Sequence, residues 1–184
     1  MNLIHRRYCR SGRWRRHLDR LLPWATEGVP LAGSRVLELG SGPRRTTDWL
    51  TPRCGALTAV ELDPADAAAL AARLPVVEVH RADATDLPFA AGSFDVVVAF
   101  TMLHHVPTID LQNQLLTEAR RVLRPGGVLA GSDSRWGPLF ALAHLGDTMR
   151  LIDPAGLPAR LAAAGFGHAS VRTRPDAFAF QATA

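Results

Sequence analysis

Lysine is missing from all 184 residues, so every one of the 21 side chains in the Lys plus Arg count is an arginine. Arginine therefore fills routine surface positions as well as special ones, and a net charge of +4 is weak support for a nucleic-acid partner. Cysteine is scarce. Cys9 and Cys54 stand far apart without metal-ligand spacing, which excludes a disulfide framework and leaves no metal site to expect. No run approaches the ~18–20 apolar residues that a membrane helix needs. The short "LLPWA" soon meets Glu27, so it does not read as a secretory segment, and the chain is expected to be cytoplasmic without membrane insertion. Neither an internal repeat nor a low-complexity linker interrupts it. What is present is a 47% hydrophobic composition, enough for one globular domain around one sizeable core.

Charge is unevenly placed. Residues 1–20 hold seven arginines against Asp19 alone, a local net of +6, while the rest of the chain sums to −2. Such a segment can bind an anionic surface or an acidic substrate, or can be a solvated helix face. Trp14, Leu18, Leu21 and Leu22 recur at helical spacing among those arginines. Residues 1–33 thus read as a basic helical segment that covers the site of a domain spanning 34–184.

From residue 34 onward, strand and helix patterns alternate. "RVLELG" is a short apolar run ending at glycine, and Pro43 suits the first turn of a helix through Leu50. "ALTAVEL" is a second strand. Asp63 is the expected N-cap of a helix to about Leu74. "VVEVH" and "FDVVVAF" follow as strands, the latter apolar enough to be buried on both faces. From Thr108 to Leu123, the residues Leu115, Leu116, Ala119, Val122 and Leu123 share one helical face. "PGG" is expected to stop that helix before a fifth strand, "VLAGSD". "LFALAHLG" carries no clear pattern. "PAGLPARLAAAGF" reads as a short helix stopped at Gly165, and "HASVRTR" and "AFAFQAT" as a terminal strand pair turning at Pro175 and Asp176. The expected fold is an α/β three-layer sandwich with a Rossmann-like, mostly parallel seven-stranded sheet whose last strand is antiparallel.

Four features fall where such a sheet binds ligands, at the C-terminal ends of its strands. Glu38 precedes Gly40, Ser41 and Gly42, where glycines allow a sharp turn and close approach of a ligand. Glu61 lies 21 residues beyond Gly40 at the end of the second strand, where a carboxylate can accept both hydroxyls of a ribose. Asp83 and Ala84, followed by "DLPF", come after the third strand, where an acid can accept from an exocyclic adenine amine. "AFTMLHHVP" closes the fourth strand. Phe89 and Phe94 read as core.

In this order and spacing, "VLELGSG", "AVELD", "ADATDLPF", "FDVVVAFTMLHHV" and "RVLRPGGVLAGSD" resemble the class I S-adenosylmethionine-dependent methyltransferases. The likeness is to the small type 11 and ubiquinone/menaquinone-biosynthesis enzymes, over about four-fifths of the chain. It implies S-adenosyl-L-methionine as cofactor, S-adenosyl-L-homocysteine as product and a small-molecule acceptor. It further implies that Gly40, Ser41 and Gly42 border the methionine portion, and places Glu38 in the same cofactor site. Glu61 would hold the ribose, Leu62 would flank the adenine, and Asp83 and Ala84 would meet its edge. Phe100 and Thr101 would face the sulfonium. For Glu61 and Asp83, helix capping or a salt bridge is the alternative.

One departure stands out: the pattern expects a third glycine where this chain has Arg44. With Pro43 at the first helical position, Arg44 falls in the first turn, where helical angles suffice and the side chain can swing to solvent or meet the cofactor's carboxylate. His104 and His105 are candidate general bases beside the methyl donor, or else packing and capping residues. Tyr8, Trp14, Trp24 and Trp136 are candidates for the acceptor pocket. Its cover would come from the N-terminal segment, the loop around residues 134–138, or a second subunit of a homodimer. Three rivals are weighed against methyl transfer. An altered glycine loop fits a non-enzymatic cofactor-binding or partner protein. The basic N-terminus fits an RNA methylase, but the fourth strand ends in "FTMLHHVP" rather than an Asn/Asp-Pro-Pro-Tyr/Phe motif, so a nucleic-acid partner is not expected. A nicotinamide dehydrogenase fits least, because position 45 is arginine where its fingerprint needs glycine.

Overall fold

A computed structural model describes residues 11–42, 45–137 and 149–184. The chain begins with helix α1 (Gly12–Ala25), capped by Ser11, whose side chain accepts the Trp14 N–H. Then follow β1 (Arg35–Leu39), α2 (Arg45–Leu50), a 3-10 turn (Thr51–Arg53), β2 (Ala56–Glu61), α3 (Pro64–Arg73) and β3 (Glu78–Arg81). The second half holds β4 (Phe94–Phe100), a 3-10 turn (Leu103–His105), α4 (Ile109–Val122), β5 (Leu123–Ser134), α5 (Leu157–Ala163), β6 (Ala169–Thr173) and β7 (Ala177–Thr183).

The strands form one seven-stranded sheet in the order β3-β2-β1-β4-β5-β7-β6. β1 to β5 pair in parallel, and β7 runs antiparallel to both β5 and β6, as expected. Alternation along the strands separates two apolar layers. Leu37, Val97, Ala99, Leu129, Phe178 and Phe180 face α4 and α5. Val36, Val98, Phe100, Ala130, Ala177 and Ala179 face Leu18, Leu21 and Leu22 of α1 and Leu70 of α3. The basic N-terminal helix is therefore a member of the second layer. Its C-terminal end is tied down by Gln181, whose Nε2 donates to the carbonyls of Ala25 (3.0 Å) and Glu27 (2.9 Å). Arg172 pairs with Glu27 and donates to the Trp24 carbonyl.

The local readings hold at most boundaries. Asp63 caps α3 by accepting from Ala65 and Asp66, Thr108 caps α4, and Gly165 (φ +90°) ends α5. One boundary differs. The expected stop at "PGG" gives way to a strand that starts at Leu123, directly after α4. Leu123 pairs with Phe94, and pairing resumes at Val96 with Val128. Residues 124–127 thus bulge out of the strand, with Gly126 at φ +74°. The bulge is held by Arg124, whose Nε donates to Asp95 at 2.7 Å. Arg35 joins them, and the two guanidiniums hold the Asp95 carboxyl well below the usual range. Pro43, Arg44, Tyr8 and the "LFALAHLG" stretch lie outside the described residues, so the expectations placed on them are not addressed.

Gly131 shows how closely the central strands pack. A Cβ there would lie 2.4 Å from the Ala99 carbonyl oxygen and 2.4 Å from the Phe180 ring. Gly131→Ala is expected to cost about 3 kcal/mol or more in urea unfolding. Gly137→Ala, where an added methyl meets no described residue within 4 Å, should stay within about 0.5 kcal/mol of wild type.

Candidate cofactor site

The site starts where β1 ends. Gly40 donates to the Val60 carbonyl at 2.9 Å, extending the β1–β2 pairing into the loop. Gly40 (φ +66°) and Gly42 (φ +52°) both occupy the left-handed region, which glycine enters without steric cost. They are not equivalent. A Cβ on Gly40 would lie 3.0 Å from Met102, whereas one on Gly42 would meet no described residue within 4 Å. Gly40 closes the loop against Met102, and Gly42 has no described side chain against it.

Glu61 stands across this loop, 9% exposed. Its Oε2 accepts the Gly42 N–H at 2.8 Å and the Ser41 hydroxyl at 3.4 Å, and its Oε1 accepts the Asp63 N–H at 3.0 Å. One carboxylate thus joins the ends of β1 and β2. Below it, Glu38 is only 1% exposed. Thr47 of α2 donates to its Oε2 at 2.6 Å, and its Oε1 is buried without a hydrogen-bond partner. Burial pushes the Glu38 carboxyl up to about 7, against the opposing pull of the Thr46 and Thr47 hydroxyls.

The third feature is a turn. Asp83 Oδ1 accepts from the Thr85 N–H (2.9 Å) and hydroxyl (2.8 Å), leaving Oδ2 unengaged on an exposed residue. Ala84 is half-buried at the edge of the first apolar layer. Leu62 is 64% exposed, an apolar surface beside Glu61. α4 holds the loop that follows: Glu118 accepts the Leu87 N–H at 2.9 Å, and Arg121 donates to the carbonyls of Leu87 and Phe89. Phe89 and Phe94 pack edge to face, as core residues do.

At the end of β4 the predicted residues part company. The Phe100 side chain is 3% exposed, within the α1-side layer, so only its backbone reaches the rim. Thr101 holds φ +52°, a strained angle for a branched residue, and donates its N–H to Ser132 at 2.7 Å. His104 is 2% exposed and Asp133 fully buried. Asp133 Oδ1 meets His104 Nδ1 at 2.5 Å, and its Oδ2 accepts the His104 backbone N–H at 3.0 Å. His105 is half-buried, its ring centroid 4.1 Å from that of His104. Among the described residues no cluster of three or more His, Cys, Asp or Glu is poised to hold a metal, and no helix is long and apolar enough to cross a membrane. Trp24 lies under the guanidinium of Arg174, 3.9 Å from its ring centroid. Trp136 is 68% exposed just beyond β5.

Sequence reasoning missed Met102, Thr47 and Asp133. Asp133 left a signal, an acid at the end of an otherwise apolar strand. Thr47 follows from the helical rise, which returns α2 over the end of β1.

The raised Glu38 carboxyl has a signed consequence. Its folded value of about 7 lies above the ordinary 4.5, so the folded state binds a proton more tightly than the unfolded one. Stability is then lost as pH rises from about 4.5 through 7, by roughly 3 kcal/mol in all. Glu38→Gln keeps an acceptor for Thr47 and removes this loss. It should be more stable than wild type at pH 8 in urea unfolding, with the gain vanishing near pH 4.5.

Residues 37–131 match the methyltransferase domain family. A probable phthiotriol/phenolphthiotriol dimycocerosates methyltransferase 2 of Mycobacterium ulcerans is 39% identical over 109 residues, 57% of this chain and 41% of that protein. The phthiotriol/phenolphthiotriol dimycocerosates methyltransferase of Mycobacterium leprae is 38% identical over 125 residues, 66% of this chain and 45% of that protein. The chain thus spans less than half the length of these curated relatives. Among solved structures, the N-methyltransferase NodS of Bradyrhizobium japonicum WM9, in complex with S-adenosyl-L-homocysteine, superposes with a TM-score of 0.71 at 17% identity, covering 96% of this chain and 90% of that one. The [4+2]-cyclase SpnF superposes with a TM-score of 0.69 at 24% identity, covering 88% of this chain and 62% of that one; at such identities the likeness shows the fold alone. The glycine turn, the acid across it and the family match over half of the chain converge: this chain belongs to the methyltransferase domain family, among the small class I S-adenosylmethionine-dependent methyltransferases.

Proposed function

We propose that the chain transfers a methyl group from S-adenosyl-L-methionine to a small organic acceptor and releases S-adenosyl-L-homocysteine. The observation that carries this reading is the Glu61 carboxylate, already oriented across the glycine turn by the N–H groups of Gly42 and Asp63. Three accepted bonds, the Ser41 hydroxyl included, fix its oxygens without exhausting their lone pairs, and the remaining capacity suits the vicinal hydroxyls of a ribose. The residues around it fit the rest of the cofactor. The partnerless, buried Oε1 of Glu38 suits an ammonium, whose charge would favour the ionised carboxylate. Gly42 leaves room beside the turn, Leu62 offers an apolar surface to a base, and Asp83 Oδ2 an acceptor for an exocyclic amine. When bound, the cofactor supplies an electrophilic methyl on a sulfonium.

Acceptor chemistry is assigned to the loop after β4. Relatives named for triol acceptors favour a hydroxyl, which loses its proton as it is methylated. His104 is held at both backbone and ring by Asp133 and is nearly sealed from solvent, so it positions the loop. His105, half-buried against it, is assigned the proton. α1 and the loop carrying Trp136 are assigned the cover over the acceptor.

Titration calorimetry tests the core of this reading. Wild type is expected to bind S-adenosyl-L-homocysteine at micromolar concentration and to ignore NAD. Glu61→Ala should weaken binding about a hundredfold, as loss of charge-assisted bonds totalling about 3 kcal/mol implies. Folded wild type that binds neither S-adenosyl-L-homocysteine nor S-adenosyl-L-methionine would overturn the proposal.

A further inference from the structure

A second hollow, of about 440 Å³, lies between the start of α4 and the segment leading into α5. Its size falls within the range of small-molecule sites, roughly 300–1,000 Å³. Ile109, Met149 and Leu151 give it an apolar lining, and Ile109 is 46% exposed. Two cations, Arg150 and Arg160, share the lining.

Among the described residues neither guanidinium is neutralised. Arg160 is half-buried, and its Nε and Nη2 donate to the side-chain oxygens of Asn113 (2.7 Å) and Gln112 (3.0 Å), both uncharged. Among the described residues no carboxylate lies within 4.0 Å of it, and the Arg150 guanidinium makes no hydrogen bond or ion pair. Burial draws the Arg160 pKa down, the mark of a charge removed from water without a counter-ion. Asp153 also lines the hollow, its Oδ1 accepting the Ala155 N–H at 3.0 Å, so the lining carries two cations against one carboxylate and a net positive charge. An apolar floor with two uncompensated forked donors is complementary to a carboxylate carrying an aliphatic body.

The hollow is joined to the loop after β4. Arg150 donates its N–H to the His104 carbonyl at 2.8 Å. Gln112, 1% exposed, donates to the carbonyls of Leu103, Val106 and Arg150 while accepting from Arg160. Whatever engages Arg160 therefore sits one side chain away from the residues that carry His104 and His105.

We propose that this hollow is a binding site for a small amphipathic carboxylate, its anionic group held between Arg150 and Arg160 and its apolar body against Ile109, Met149 and Leu151. The carboxylate is either the remote end of the methyl acceptor or a separate effector; only the first source rests on the methyl-transfer reading.

The test is calorimetry on the full chain with sodium octanoate and its neutral counterpart octanamide. Octanoate is expected to bind, octanamide about tenfold more weakly or worse. Arg150→Gln, whose side chain supports nothing else, should lose octanoate binding about tenfold with an unchanged Tm. Arg160→Gln should do the same in samples shown to be folded, and Arg20→Gln on α1 should bind like wild type. Equal binding of octanoate and octanamide, wild-type binding in Arg150→Gln, or an equal loss in Arg20→Gln would overturn the proposal. Two arms separate the sources. Methyl transfer to 8-hydroxyoctanoate whose KM rises in Arg150→Gln identifies the acceptor's own carboxylate; octanoate binding with no such transfer identifies an effector. S-adenosyl-L-homocysteine is titrated into the same samples. Its binding without octanoate binding overturns this inference alone, and octanoate binding without it overturns the methyl-transfer reading alone.

Discussion

Burial of β4 on both faces is the constraint from which the rest follows. Val96, Val97 and Val98 are fully excluded from solvent, so the sheet must carry helices on each side. Parallel neighbours can then be joined only by crossovers, and every crossover returns the chain to the same end of the sheet. The ends of β1, β2, β3, β4 and β5 consequently share one rim. Residues remote in sequence, such as Glu38, Glu61, Asp83, His104 and Asp133, gather there without any segment having been shaped for the purpose alone.

At that rim the chain keeps acids where a core would exclude them. Glu38, Glu61 and Asp133 are each buried, and each is stabilised differently. Glu61 and Asp133 are held by donated N–H groups, with a histidine ring added at Asp133. Glu38 has the nearby Thr46 and Thr47 hydroxyls, Thr47 donating to Oε2, while its Oε1 has no hydrogen-bond partner. An unsatisfied buried carboxylate is unfavourable to folding, which makes it the feature of the site that a purely structural role explains least. Rules of local consistency fail at functional positions for this reason.

Much of the architecture was legible in the sequence because it rests on period and punctuation. "FDVVVAF" could only be a strand covered on both sides, and the Asp63 cap fixed where α3 starts. The antiparallel β6–β7 pair was readable from the turn at Pro175 and Asp176. The start of β5 was not: proline and glycines normally end an element, but here Asp95 and Arg124 hold a bulge that lets pairing resume beyond them. Of the site, the acids at strand ends were legible through spacing. What they touch was not, since the grip of Asp133 on His104 spans 29 residues of sequence and no pattern links the two. Phe100 illustrates the limit most simply: strand alternation turned its ring into the α1-side layer, away from the rim its position suggested.

Gln112 carries one more consequence. Three carbonyl oxygens surround its amide nitrogen and a guanidinium meets its oxygen, so the group has a single permitted orientation. A glutamate of the same shape would set a carboxylate against those carbonyls, while a shorter or apolar residue would take the side-chain donor from all three and leave only the Leu103 carbonyl with a partner among the described residues, the Val106 N–H. Arg160 is constrained in turn, because its removal leaves the amide oxygen without a donor. Positions 112 and 160 are therefore coupled, and a change at one alters what the other can satisfy.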